Sequence, residues 1–141
     1  MIAYIDSSVL LRILLRQRDP LEQWPRIDLA ISSNLLRVEC LRTLDRLRLA
    51  GQLSPAEARV QTDALADVLR RIDFVEVDPL VLDHAAQPLP APLGALDAIH
   101  LASALLYRER HGDHPILFAT HDVALARAAR AMHFDVVGVA A

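Results

Sequence analysis

Residues 1–17, MIAYIDSSVLLRILLRQ, set a short apolar run, Ile2–Ile5, directly before an acid, Asp6, and a helix-forming stretch. Ser7-Ser8 are the expected cap of a helix from about Val9 to Gln17. A second acid is placed in the same way: Asp122 follows the apolar run Ile116–Ala119 across Thr120-His121 and opens a helix to about Met132. Between these two units the chain keeps alternating. Leu29–Ile31 reads as a strand, and Ser32-Ser33 then cap a helix over about Asn34–Ala50 that Gly51 stops. Ser54-Pro55-Ala56-Glu57 is a capping box with proline at the first helical position, opening a helix to about Arg71. Phe74–Val77 reads as a third strand, and Pro79 opens a short helix to about Ala86. A proline-rich loop, Pro88–Pro92, leads to a helix over about Ala95–Arg110, and Val136–Val139 is the fifth strand. Alternating strands and helices predict an α/β domain with a mostly parallel sheet, and strands apolar on both faces predict helices on both sides.

The chain has 141 residues, enough to bury roughly two thirds of its unfolded surface in one domain. Hydrophobic residues make up 53% and aromatics only 4%, so the core is built from Leu, Ala, Val and Ile. The formal charge of −3 argues against a wholly basic, nucleic-acid-coating surface. All 15 basic residues are arginines, which excludes a lysine Schiff base and a P-loop. The single cysteine, Cys40, excludes an internal disulfide and a cysteine zinc site. No GxSxG, HExxH or glycine-rich phosphate loop is present. The first residues lack a basic n-region and meet Asp6 early, and no apolar run reaches membrane-spanning length, so a cytoplasmic protein away from membranes is expected.

In open parallel sheets the ligand crevice lies beyond the carboxyl ends of the strands, at the point where strand order reverses. Asp6 and Asp122 fall there. Asp97 lies in the first turn of the helix before the fourth strand. Glu39 lies at the edge of the apolar stripe Leu36-Cys40-Leu44-Leu47, from which its carboxylate can reach the sheet end. Taken singly, each aspartate is also a favoured helix-start residue, and Glu39 a solvated partner for Arg42 or Arg46. Together they form a set that repels itself unless cations or protons neutralise it. Oxygen ligands without sulfur favour Mg²⁺ or Mn²⁺. Ser7 and Thr120 are candidates to cap helices or to orient a metal-bound water. His100, one turn after Asp97, and His121 are read as packed or partly exposed imidazoles, and Cys40 as a small core residue.

Four stretches resemble the PIN domain, and specifically the VapC-type ribonuclease toxins of bacterial and archaeal toxin–antitoxin pairs. They are IDSSVLLRILL, SSNLLRVECLRTLDRL, LGALDAIHLASALL and FATHDVALARAAR, which carry Asp6, Glu39, Asp97 and Asp122 in order along essentially the whole chain. The resemblance implies a single PIN-like domain over 1–141 with a five-stranded sheet in the order 3-2-1-4-5. It implies a catalytic and metal-binding quartet of Asp6, Glu39, Asp97 and Asp122, with Thr120 and Ser7 in support. The reaction it implies is hydrolysis of RNA phosphodiesters with Mg²⁺ or Mn²⁺. Asp6 and Asp97 are then the main ligands, Glu39 a ligand through water or a proton acceptor, and Asp122 completes the site. It implies as partners a cognate VapB-like antitoxin that clamps the groove, and a homodimer.

Arginines must supply contacts to the RNA backbone, with Arg12, Arg37, Arg42 and Arg46 as candidates near the site. Few aromatics leave few stacking platforms, so a structured RNA read partly by shape fits better than one read by stacked bases; tRNA, rRNA and mRNA are not distinguished. Surplus apolar residues, Leu10, Leu11, Leu14 and Leu15 in the first helix and Val38, Leu41 and Leu49 in the second, point either to an interface or to a second core contact. Trp24 is either an anchor for such a contact or a lid on the core. Two rivals stand beside the nuclease. A haloacid-dehalogenase-like phosphatase wants an acid where Ser8 stands and a lysine the chain lacks. A catalytically inactive PIN-like module would bind RNA or protein without cleaving.

Overall fold

The computed structural model describes residues 1–140. Five parallel strands, β1 (Ile2–Ile5), β2 (Leu29–Ser33), β3 (Ile72–Val75), β4 (Ile116–Ala119) and β5 (Asp135–Val137), form one sheet in the order β3-β2-β1-β4-β5. The connecting helices are α1 (Ser7–Leu14), α2 (Leu35–Leu49), α3 (Pro55–Leu69), α4 (Pro79–Ala85), α5 (Ala95–Arg110) and α6 (Val123–Ala131). The α/β class, the parallel sheet and its order are those expected.

Period-two alternation along the strands divides the core. Tyr4 and Phe118, paired across β1 and β4, face a cluster with Leu101 of α5 and Leu125 of α6. Their neighbours Ile5 and Ala119 face the opposite cluster, with Leu10 of α1, Leu36 and Cys40 of α2 and Leu65 of α3. Helices therefore cover both faces, as the doubly apolar strands require. Leu10 is fully buried, and Leu11, Leu14, Leu15, Leu41 and Trp24 pack against this second cluster, so most of the apolar surplus is core. Val38 and Leu49 remain outside it, 55% and 72% exposed.

Several boundaries differ from the sequence reading, each for a local reason. Asp6, rather than Ser7-Ser8, caps α1, its carboxylate accepting from the Val9 N–H, so the helix starts at Ser7. It ends at Leu14 because Arg16 turns into the left-handed region at φ 51° and the Gln17 N–H bonds back to the Arg12 carbonyl. Ser32 and Ser33 belong to β2: the buried Ser32 hydroxyl donates to the Ile5 carbonyl at 2.7 Å. β3 lies two residues earlier than Phe74–Val77, and its last carbonyl, at Val75, accepts from the Asn34 N–H. The side chain of Asn34 then takes the Val77 N–H. β5 ends at Val137 because Gly138 sits at φ 101°. The Ser54–Glu57 capping box forms as expected. Among the described residues, no helix is long and apolar enough to cross a membrane.

Candidate active site

Asp6 directly follows β1, at the carboxyl edge of the sheet and beside the end of β4, where the connection order reverses. Only 4% of it is exposed, and its carboxylate accepts three hydrogen bonds. Oδ1 accepts from the Ser8 hydroxyl at 2.5 Å and the Val9 N–H at 3.3 Å, and Oδ2 accepts from the Thr120 hydroxyl at 2.6 Å. Burial pushes its pKa up, against the pull of the Ser8 and Thr120 hydroxyls. The Thr120 Oγ1 also accepts the Asp122 N–H at 3.0 Å. One hydroxyl thus ties the end of β1 to the turn that presents Asp122.

The hydroxyl expected from Ser7 comes from Ser8. Asp6 is the helix cap, and Ser8, on the first turn, is the serine that reaches its carboxylate. Ser8 Oγ also accepts the His121 N–H at 2.9 Å, joining α1 to the β4–α6 turn. Asp122 caps α6 through Oδ1, which accepts from the Leu125 N–H at 2.8 Å.

Asp97 stands half-buried in the first turn of α5. Its pKa is pushed up to about 6, first by burial and then by the negative charges of Asp122 and Asp6, with Glu39 adding to them and His100 opposing. The four acids therefore share one electrostatic field. Among the described residues, no arginine pairs with Asp6, Glu39, Asp97 or Asp122. Hard oxygen donors carrying uncompensated charge fit a divalent cation in chemistry. Among the described residues, no three His, Cys, Asp or Glu side chains are already grouped to enclose one.

Glu39 is not a solvated partner of Arg42 or Arg46. Its Oε1 lies 2.5 Å from His100 Nε2, and His100 Nδ1 lies 2.8 Å from the Tyr4 hydroxyl. His100 is 1% exposed and Glu39 18%. Neither Tyr4 nor this role of His100 is foreseen from sequence. The available signal is helical spacing, since His100 follows Asp97 by three positions and shares its face. His121 bonds through Nδ1 to the Gly138 carbonyl at 2.9 Å. Cys40 is buried core, its thiol pushed up to about 12 by burial and then by the Glu39 and Asp6 charges.

The candidate arginines do not converge on the acids. The Arg12 guanidinium donates to the Asp19 carbonyl, and Arg42 pairs with Asp45 at 3.3 Å. Arg46 is exposed on α2, and Arg37 lines a groove of about 430 Å³ between α2 and α3. Leu41, Leu65, Leu69 and Phe74 give that groove its apolar lining; the acids lie elsewhere.

The PIN domain family matches residues 3–131, a span that opens in β1 and closes at the end of α6, with all four acids inside it. The chain belongs to that family. Over 104 residues, 72% of each protein, it is 36% identical to Ribonuclease VapC46 of Mycobacterium tuberculosis (strain ATCC 25618 / H37Rv), which places it with the VapC-type ribonucleases.

Proposed function

We propose that this chain is a Mg²⁺- or Mn²⁺-dependent endoribonuclease that hydrolyses RNA phosphodiesters at Asp6, Glu39, Asp97 and Asp122 and is held inactive by a cognate VapB-like antitoxin. The observation that carries this reading is that Thr120 joins Asp6 to the turn bearing Asp122 at the carboxyl edge of a PIN-family sheet, with no arginine paired to any of the four acids among the described residues. A cluster that costs charge repulsion and has no arginine counter-ion is suited to bind a cation.

Asp6, Asp97, Glu39 and Asp122 would hold the ion, which when bound supplies charge neutralisation at the phosphodiester and activation of a water. Asp6 is the fixed member, because three donors hold its carboxylate. Asp97 is the responsive member: near neutral pH it is ionised, and below about 6 it holds a proton that competes with the cation. Thr120 and Ser8 orient Asp6 and position the Asp122 turn. Asp122 uses Oδ1 to cap α6, and Oδ2 is the oxygen it would offer the ion. Arg12, Arg37, Arg42 and Arg46 are the proposed contacts to the RNA backbone.

For the antitoxin, the α2–α3 groove and the exposed Val38 offer apolar surface, with Arg37 at the groove to meet acidic side chains and Arg70 beside it paired with Asp67. A homodimer and a cytoplasmic location complete the reading.

The experiment is incubation of antitoxin-free protein with total cellular RNA in Mg²⁺, in Mn²⁺ and in EDTA. Discrete fragments that require metal are the expected result, and their mapped ends name the target. Folded protein that binds RNA and leaves it intact under every condition would instead support the inactive binding module. That rival draws on the lack, among the described residues, of a preformed metal-holding group.

A further inference from the structure

The environment of His100 shows a specific device. Its ring is 1% exposed and lies between three elements: its own helix α5, β1 through Tyr4, and α2 through Glu39. The Tyr4 hydroxyl accepts the Ser33 N–H of β2 at 3.1 Å, and burial holds that phenol protonated, far above its usual range. Its hydroxyl lies 2.8 Å from His100 Nδ1 and also bonds to the Ser103 and Ser32 side chains. A carboxylate oxygen only accepts, so the ring carries an N–H at Nε2, pointed at Glu39 Oε1. Packing fixes the orientation: Tyr4 stacks on Phe118 with centroids 5.2 Å apart and meets the His100 ring edge-on at 5.9 Å.

We infer that Tyr4 and His100 form a positioning relay, in which the His100 Nε2–H holds Glu39 by one oxygen so that its other oxygen faces the acid cluster. The inference rests on the proposed nuclease reading and adds to it two residues outside the quartet. Glu39 arrives on a long side chain from α2, with several rotatable bonds, whereas Asp6 is held by three donors at short range. A carboxylate on a flexible stem contributes to a cation site only if a partner removes its rotamer freedom, and such partners typically change metal affinity about 10–100-fold. The same bond joins α2 to α5, and so joins the two helices that carry Glu39 and Asp97.

The test compares wild type, His100→Leu, His100→Gln and Tyr4→Phe in the full chain. Mn²⁺ binding is measured by calorimetry, folding by circular dichroism, and the His100 ring nitrogens by nitrogen-15 NMR. The expected result is a ring N–H at Nε2, hydrogen-bonded to Glu39, in the metal-free wild type. His100→Leu then lowers Mn²⁺ affinity about tenfold or more, and His100→Gln, whose amide N–H still reaches Glu39, recovers most of it. Tyr4→Phe keeps the ring packing and loses only the hydroxyl. It leaves Nδ1 without its hydroxyl partner and is expected to weaken Mn²⁺ binding by a smaller factor. Cleavage at saturating RNA falls in the same order, with KM for RNA unchanged. A wild-type ring with no hydrogen on Nε2 overturns the relay, as does a folded His100→Leu that binds Mn²⁺ like wild type. If His100→Leu does not fold, Tyr4→Phe and the wild-type NMR signature decide by themselves. Wild type that takes up no Mn²⁺ fails before any variant is compared, and that outcome counts against the nuclease reading itself.

Discussion

Thr120 Oγ1 donates to Asp6 Oδ2 at 2.6 Å, joining two residues 114 positions apart in sequence and adjacent in space at the ends of β4 and β1. Thr120 is fully buried, so this bond has no water to replace it. Thr120→Val keeps the shape and removes the donor to a buried carboxylate, and is expected to cost about 1–3 kcal/mol of stability. Thr120→Ser keeps the donor and should remain within about 1 kcal/mol of wild type. Urea denaturation midpoints of the two variants, read side by side, check this.

Gly138 bears on the same threonine. It sits at φ 101°, and a Cβ there would lie 2.3 Å from the Thr120 carbonyl oxygen. Gly138→Ala therefore combines backbone strain with a clash against backbone, and is expected to destabilise by about 2–3 kcal/mol. Because the displaced residue is Thr120, RNA cleavage should fall even at temperatures where the variant stays folded. Thermal unfolding and cleavage rate measured on one preparation separate the two effects.

Asp97 gives the metal-free protein a pH-dependent stability of defined sign. Its folded pKa, about 6, lies above the ordinary 3.8, so the folded state binds this proton more tightly than the unfolded state does. The stabilising contribution is complete below about 4 and is lost as pH rises through about 6. In EDTA, Asp97→Asn should therefore stabilise the protein near pH 7.5, by about 1 kcal/mol once solvent screening of this half-exposed group is allowed for. At pH 4 the two proteins should unfold alike. Thermal unfolding across this range would show a parallel displacement at every pH if the reading of Asp97 were wrong.

Ser7 and Ser8 separate a helix-start residue from a site residue. Ser8→Ala removes a donor to Asp6 and an acceptor for the His121 N–H, and should cost about 1–2 kcal/mol and reduce cleavage. Ser7→Ala, which removes no such bond, should stay within about 0.5 kcal/mol of wild type. Denaturation and cleavage assays on the pair provide the check.

The sheet was legible in the sequence because its strands are short apolar runs with helix caps between them. Asp6, Asp97 and Asp122 were legible because each sits where a strand ends or a helix begins. Boundaries were harder. Ser32 and Ser33 read as a cap because serine favours caps, and only the long-range bond from Ser32 to the Ile5 carbonyl places them in β2. Asp6 against Ser7-Ser8 was a competition among three good capping residues in a row, decided by the side chain that reaches the Val9 N–H. Tyr4 and His100 escaped for a different reason. A tyrosine in an apolar strand and a histidine in an apolar helix both look like core, and their bonds join residues 61 and 96 positions apart.

The most direct test of the account is the single-turnover rate of RNA cleavage in Mn²⁺ for wild type beside Asp6→Asn, Glu39→Gln, Asp97→Asn and Asp122→Asn, each shown to be folded. The account predicts metal-dependent cleavage by wild type and a loss of about a hundredfold or more for Asp6→Asn and Asp97→Asn, the scale of removing a group that stabilises developing charge. Cleavage that persists in EDTA, or that survives at the wild-type rate in Asp6→Asn, would contradict it.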